Sequence, residues 1–177
     1  MRPNRRLFNA AGALACFAML GYALYAQYVL RLEPCPLCMF QRITVLALGV
    51  LFLLAALQHP RAWGSYVYAC LIAVAALATI GVAARHLYVQ SLPPGSIPAC
   101  GAPLEALFRM FSVTEVIRKV LRGGGECALV NWSFLGLAMP GWVLLSGAAL
   151  GAFGVLTNVL LVGPQRLGRG SGANSPA

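Results

Sequence analysis

Two cysteines in the motif Cys-Pro-Leu-Cys, Cys35 and Cys38, stand at the start of a long apolar segment. A Cys-x-x-Cys pair either clamps a metal ion or forms a dithiol that exchanges electrons. A second Cys-x-x-Cys would favour a metal clamp, but the other two candidate cysteines, Cys100 and Cys127, are widely spaced. A cation, Arg42, follows Cys38 by about one helical turn. The pattern therefore favours a redox dithiol.

The local sequence predicts how this motif is positioned. Proline suits the first position of a helix, so Pro36 would make Cys35 the N-cap and place Cys38 in the first turn. A thiolate there faces the positive end of the helix dipole, and Arg42 lies on the same helical face one turn deeper. The alternatives are a static disulfide or half a zinc site for the cysteines, and a side chain that extends to the membrane interface for Arg42. No His follows the motif, which disfavours covalent haem attachment.

The elements that position these residues are apolar. The chain has 177 residues, of which 60% are hydrophobic and 10% are charged, whereas a water-soluble domain carries about 25% charged residues. Four runs without acidic residues reach the ~20 residues that a bilayer core requires. The sequence predicts an all-α integral membrane protein, a bundle of four transmembrane helices with a long extracytoplasmic loop that carries short helices. The expected ranges are 7–30, 37–57, 63–84 and 139–162 for the spans, 85–138 for the loop, 1–163 for the single membrane domain and 164–177 for a disordered cytoplasmic tail.

The net charge of +9 is explained better by topology than by nucleic acid. The arginines lie at the ends of apolar runs and in one polar loop, without the basic, aromatic-interleaved surface that binds phosphates. Lys and Arg are equally numerous on the two sides of the expected bundle, but Arg2, Arg5 and Arg6 give the first span a clear bias. The positive-inside rule then predicts that both termini are cytoplasmic and that the four candidate redox cysteines face the periplasm.

The remaining cysteines divide into two groups. Cys16 and Cys70 fall within apolar runs, where a thiol is usually an inert small hydrophobe. Cys100 follows a Pro- and Gly-rich stretch and Cys127 follows three glycines, so both are expected in flexible, solvent-facing backbone open to another protein's thiolate. A purely stabilising disulfide is the alternative. Two pairs on one side of a membrane suggest a relay of electrons.

The long loop predicts two short helices. A capping-box pattern at Ser112 and Glu115 separates two apolar faces, and three glycines end the second. The second helix either lies flat on a membrane or packs on the end of the bundle. The first face comprises Leu104, Leu107, Phe108 and Phe111, and the second comprises Val113, Val116, Ile117, Val120 and Leu121.

Other residues have simpler interpretations. His86 follows the third run on the cysteine side and is either a site residue or an ordinary interface residue. Trp132 and Trp142 are typical of the aromatic belt at a membrane surface. A small-residue seam for close helix packing is formed by Gly147, Gly151 and Gly154.

Taken in order along the chain, these features resemble the bacterial disulfide bond formation protein B (DsbB) family. The resemblance rests on the Cys-x-x-Cys with Arg42 four residues on, His86, Cys100, Cys127 and the stretch WSFLGLAMP at 132–140. It implies a four-helix enzyme of the bacterial inner membrane. Such an enzyme reoxidises a soluble periplasmic DsbA-type thiol oxidase and passes two electrons to a quinone, ubiquinone or menaquinone.

The resemblance also implies roles for the cysteines. Cys100 would form the mixed disulfide with the partner, and Cys127 would complete that pair. Cys35 and Cys38 would receive the electrons, with Cys38 facing the quinone.

Three further residues would hold the quinone, and no metal is expected. By the same resemblance, Arg42 would support the charge of the thiolate and of the quinone, His86 would lie near the quinone ring, and Met139 would form part of the pocket wall. One alternative is a thiol-linked quinone reductase of the vitamin K epoxide reductase type, but there the Cys-x-x-Cys lies near the end of a late span. The other is a non-catalytic membrane adaptor or metal-binding protein with stabilising disulfides.

Overall fold

The computed structural model describes residues 5–58, 60, 63–93, 109–128 and 132–160. Within these ranges four long helices are joined by short helices and one small hairpin. The elements in chain order are α1 (Arg5–Tyr28), α2 (Pro36–Gln58), α3 (Trp63–Gln90), α4 (Val113–Arg122), α5 (Gly125–Ala128), β1 (Ser133–Phe134), β2 (Leu137–Ala138) and α6 (Met139–Leu160).

The helices α1, α2, α3 and α6 are long and apolar enough to cross a membrane, by length and composition. The predicted class, an all-α membrane protein with four spanning helices, is confirmed. The third helix continues to Gln90 instead of stopping near Ala84, so His86 lies inside its last turns. We call the end of the bundle where α2 begins and α3 ends the loop end.

Close helix packing follows from the glycine seam of α6. Gly147, Gly151 and Gly154 are buried, and α3 and α6 form the most extensive contact between helices. A Cβ atom on Gly151 would lie 2.5 Å from the Cβ of Ala76 in α3. The seam predicted from the sequence is thus confirmed, because any side chain there would push the two helices apart.

A buried polar network joins three spans at the opposite end. The Arg5 guanidinium donates to the Ser65 hydroxyl (2.6 Å) and to the Pro60 carbonyl. The Ser65 hydroxyl in turn donates to the Asn158 carbonyl (2.7 Å), and the amides of Asn158 and Asn9 donate to each other at 2.9 and 3.2 Å. Polar groups in an apolar interior are stabilised by such pairing, so the network ties α1, α3 and α6 together.

Helix α4 closes the loop end of the bundle. Ser112 is its N-cap. The backbone N–H of Ser112 donates to Glu115 Oε2 at 3.3 Å, as the capping-box pattern predicted. Val116 and Val120 are buried, and they pack in one apolar cluster with Leu37. Packing on the bundle is therefore one role of this helix. Most of the first predicted loop helix and the tail at 164–177 lie outside the described residues.

The segment around Cys127 corrects the sequence interpretation. It was expected to be flexible and solvent-facing, but it forms α5, and Cys127 is only 1% exposed. Gly123, at φ 82°, ends α4, and the Cys127 N–H then donates to the Gly124 carbonyl at 2.9 Å. The chain turns inward because the thiol is a small hydrophobe that the apolar cluster around Val116 can bury.

The hairpin of β1 and β2 was not predicted. Ser133 pairs with Ala138 and Phe134 pairs with Leu137, and the turn places both Leu135 and Gly136 at positive φ. The Trp142 indole donates to the Phe134 carbonyl at 3.2 Å. This bond holds the hairpin against the start of α6.

Candidate active site

The Cys-x-x-Cys motif adopts the geometry that its sequence predicts. Helix α2 begins at Pro36, and the backbone N–H of Cys38 points to Cys35 Sγ at 3.4 Å, as expected for an N-cap. The Cys35 thiol donates to Cys38 Sγ at 3.1 Å. Both sulfurs are thiols here, and a disulfide would need them to approach by about 1 Å.

A third cysteine reaches the same place from the loop. The Sγ atoms of Cys35 and Cys127 and a ring nitrogen of His86 all lie within 4.8 Å of one another, and all three residues are buried. The hydrogen bond to Cys35, together with burial, raises the pKa of the Cys127 thiol. The structure therefore brings one cysteine of the expected outer pair into contact with the inner pair.

His86 is fixed by two polar neighbours. Its Nε2 lies 3.2 Å from the Cys127 carbonyl oxygen, which can only accept, so Nε2 carries the proton. In the neutral ring Nδ1 is then an acceptor, and the Gln41 amide lies 3.3 Å away as its donor. His86 is 2% exposed, so its side chain lies in the interior of the bundle and not at a membrane surface.

Sequence reasoning missed Gln41. It is 4% exposed and lies between Cys38 and Arg42 in a segment that is otherwise apolar. A lone amide inside a membrane span was the signal that could have found it.

A cavity of about 450 Å³ opens beside the inner cysteine pair. Its polar wall includes Cys38, Gln41, Arg42 and His86, and Cys35 also reaches it. Its size is typical of a small-molecule site, and its composition suits an apolar ligand with few polar atoms. The apolar wall comes mainly from α1 and from the start of α6, including Met19, Leu20, Ala23, Met139, Pro140 and Val143.

Arg42 is held against the first span. Its guanidinium donates to the Ala23 carbonyl at 2.9 Å and to the Gln27 side-chain oxygen, and it lies 3.9 Å from Met39 Sδ. These contacts anchor the cation in the cavity wall. Gln27 was also missed by the sequence analysis.

The structure thus gathers most of the predicted site residues. Cys35, Cys38, Arg42, His86 and Met139 line one cavity, and Cys127 meets Cys35 at its edge. Cys100 lies outside the described residues.

Comparisons with known proteins agree with one another. A sequence model of the family described as "Disulfide bond formation protein DsbB" matches residues 5–157. A relative from Nitrosococcus oceani is 48% identical over 151 residues, which is 85% of this chain and 89% of the relative. Relatives from Methylococcus capsulatus (45% identical, 87% and 94% covered) and Chromobacterium violaceum (47% identical, 93% and 96% covered) are similarly close. All three bear the name "Disulfide bond formation protein B".

Proposed function

The chain belongs to the DsbB family of disulfide bond formation proteins, and from this premise we propose that it reoxidises a periplasmic DsbA-type dithiol oxidase and passes the electron pair to a membrane quinone. The observation that carries the proposal is the position of the Cys35–Cys38 pair, which touches Cys127 on one side and the apolar cavity on the other. Family membership disfavours both the vitamin K epoxide reductase type of enzyme and a non-catalytic adaptor.

The outer exchange begins with the partner. A partner thiolate attacks Cys100 in a Cys100–Cys127 disulfide, forms a mixed disulfide and releases Cys127 as the leaving thiol. The second partner thiolate then displaces Cys100, so the partner leaves oxidised and the outer pair holds two electrons and two protons.

The inner exchange uses the contact between Cys127 and Cys35. Cys127, as thiolate, attacks Cys35 Sγ in a Cys35–Cys38 disulfide, and Cys38 leaves as a thiolate. Cys100 then attacks Cys127 and releases Cys35. The outer disulfide is restored, and the inner pair carries the electrons. The short distance between the Cys35 and Cys127 sulfurs supports this order of attack.

The residues that line the cavity fit a quinone, which would supply a two-electron, two-proton acceptor. Cys38 lines the cavity, and Arg42 places a fixed cation in the same wall. The cation stabilises negative charge at a low-dielectric site. His86 belongs to the same wall, and Met139 contributes to the apolar side.

The proposal includes an orientation in the bacterial inner membrane. Arginines at the start of the chain favour cytoplasmic termini. The cysteine cluster at the loop end would then face the periplasm, where disulfides persist.

Anaerobic mixing of the purified protein with a reduced DsbA-type partner and ubiquinone or menaquinone tests the proposal. Quinone absorbance should fall as the partner is oxidised, and Cys38→Ser should abolish both changes. Unchanged turnover in Cys38→Ser would overturn the assignment. Trapping thiols with a maleimide during turnover should show both cysteine pairs cycling.

A further inference from the structure

The reduced cysteine cluster contains the types of ligand that a metal site requires. Cys35 Sγ, Cys127 Sγ and a nitrogen of His86 lie within 4.8 Å of one another, and Cys38 Sγ lies 3.1 Å from Cys35 Sγ. Thiolate sulfur and imidazole nitrogen are the ligands that Zn²⁺ prefers in four-coordinate sites. We propose that the fully reduced chain binds one soft divalent cation, Zn²⁺ or a close analogue, through Cys35, Cys38, His86 and Cys127.

The two distances known at Cys35 approach those of a tetrahedral site, whereas Cys38 has to turn towards His86 and Cys127 to complete it. Zn–S bonds of ~2.3 Å and Zn–N bonds of ~2.0 Å give edges of about 3.8 Å between sulfurs and about 3.5 Å between sulfur and nitrogen. The Cys35 sulfur lies 3.7 Å from His86 Nε2 and 3.1 Å from the Cys38 sulfur. Metal capture therefore needs only sub-ångström shifts along these two edges.

The surroundings supply a supporting hydrogen bond. Ligation through His86 Nε2 would move the ring proton to Nδ1, which faces the Gln41 amide at 3.3 Å. Rotation of that amide presents its oxygen as an acceptor, the arrangement that usually orients a metal-bound histidine. The buried Gln41 is thus positioned to support both the metal-free and the metal-bound ring.

The site exists only in one redox state. A disulfide between Cys35 and Cys38 removes two of the four ligands, whereas the reduced chain offers three thiols that release their protons on ligation. The proposed cycle reduces one pair at a time, so this state forms when the partner reduces the outer pair again before the inner pair has been reoxidised. A bound cation would hold the thiolates needed for the next exchange, so Zn²⁺ should slow reoxidation until a chelator removes it.

Co²⁺ is the probe for the test, because tetrahedral thiolate coordination gives it charge-transfer and intense d–d absorption. The full chain, in lipid nanodiscs and reduced with a phosphine, should bind one Co²⁺ per chain. Zn²⁺ should bleach the bands, since it binds such sites more tightly. The chain with both disulfides formed should show no such bands.

Variants identify the ligands. His86→Ala and Cys127→Ser should each weaken Co²⁺ binding about tenfold or more, while Cys70→Ala, at an exposed thiol on α3, should leave it unchanged. Three results would overturn the metal site. They are equal Co²⁺ binding by the oxidised chain, Co²⁺ binding that His86→Ala leaves unchanged, and Co²⁺ binding that Cys100→Ser weakens while Cys127→Ser does not.

The test separates this inference from the proposed function. Turnover with the quinone is measured in the presence of a chelator. Turnover without Co²⁺ binding overturns the metal site alone, and Co²⁺ binding by a chain that never reduces quinone overturns the proposed function alone.

Discussion

The sulfur atoms of Cys35 and Cys127 lie within 4.8 Å of each other, although two long helices and most of the loop separate them in the chain. Two contacts hold the loop helix α4 against the bundle and so bring these sulfur atoms together. Val116 of α4 packs in the cluster that also contains both cysteines. Arg85, near the end of α3, donates to the last carbonyls of α4, those of Leu121 (2.7 Å) and Arg122 (3.1 Å). The basic side chain also compensates the negative end of that helix.

A crosslink should capture the meeting of the two cysteines. In Cys38→Ser, mild oxidation should join Cys35 to Cys127, because Cys35 has lost its nearest partner and Cys127 is the next thiol within reach. Peptide mass spectrometry under non-reducing conditions would detect the linked peptides. Adding Arg85→Met to the Cys38→Ser protein should lower the yield of the crosslink, since it removes the hydrogen bonds that hold the end of α4. Absence of the link in Cys38→Ser would contradict the proposed route.

The reactivity of Cys127 should depend on pH in a specific direction. Its pKa is raised in the folded protein, so the fold favours the thiol form. That contribution to stability is fully present below the pKa of an unfolded thiol, about 8.5, and is lost as the pH rises from there towards the folded pKa. The rate of Cys127 alkylation in the reduced, folded protein should therefore continue to rise with pH above pH ~9, where the rate in the unfolded chain no longer changes.

Removal of the hydrogen-bond partner provides the control for this prediction. Cys35→Ala should move the rise in Cys127 alkylation to lower pH, because the bond to Cys35 is the largest cause of the shift. A profile that is the same in both proteins would show that burial alone sets the reactivity. Isotope-coded alkylation followed by peptide analysis gives the rate at Cys127 separately from the other thiols.

Gln27 should matter for the quinone and not for the partner protein. Gln27→Leu removes one of the groups that fix the Arg42 guanidinium. A hydrogen bond to a charged group contributes about 1.5–3 kcal/mol. Loss of half of this free energy should raise the KM for quinone about four- to tenfold. The rate of exchange with the DsbA-type partner should not change.

A second glutamine offers the matched control for this change. Gln58 also accepts a side-chain hydrogen bond, from the Tyr68 hydroxyl at 2.7 Å, but it lies at the other end of α2 from the cavity. Gln58→Leu should leave the KM for quinone unchanged. Equal effects of the two variants would mean that Gln27 acts through general helix packing.

The glycine seam predicts a difference between two similar substitutions. Gly151→Ala places a methyl group 2.5 Å from the Ala76 Cβ, and neither group can rotate away. Overpacking of this kind costs about 1–3 kcal/mol. Gly81→Ala, on α3 with no other atom within 4 Å of the new Cβ, should be neutral or slightly stabilising. Unfolding of the purified protein in mixed micelles measures both, and equal stabilities would contradict the close approach of α3 and α6.

Sequence alone predicted the parts of this protein that local rules govern. Apolar runs specify spans, Pro36 specifies the start of α2, and the pattern at Ser112 specifies the start of α4. Each of these depends on residues a few positions apart. The resemblance to a family then implied roles for the cysteines, which spacing by itself left open and which remain a prediction.

The rest depended on contacts between distant segments. The buried position of Cys127 follows from the packing of α4 on the bundle, and no local pattern encodes that packing. The same is true of the amide of Gln41 against His86 and of Gln27 against Arg42. Each pair joins two different spans, so a polar residue in one span can be noticed in the sequence but its partner cannot be identified.

The burial of the Cys35 and Cys127 sulfurs has a consequence for small reductants. Cys35 is 8% exposed and Cys127 is 1% exposed, and an apolar cluster surrounds both. Glutathione is a charged tripeptide, so contact with Cys127 inside that cluster would cost the desolvation of its charged groups. Under the proposed function, electrons would therefore reach Cys35 through a cysteine that the fold shields from the thiols of the surrounding solution.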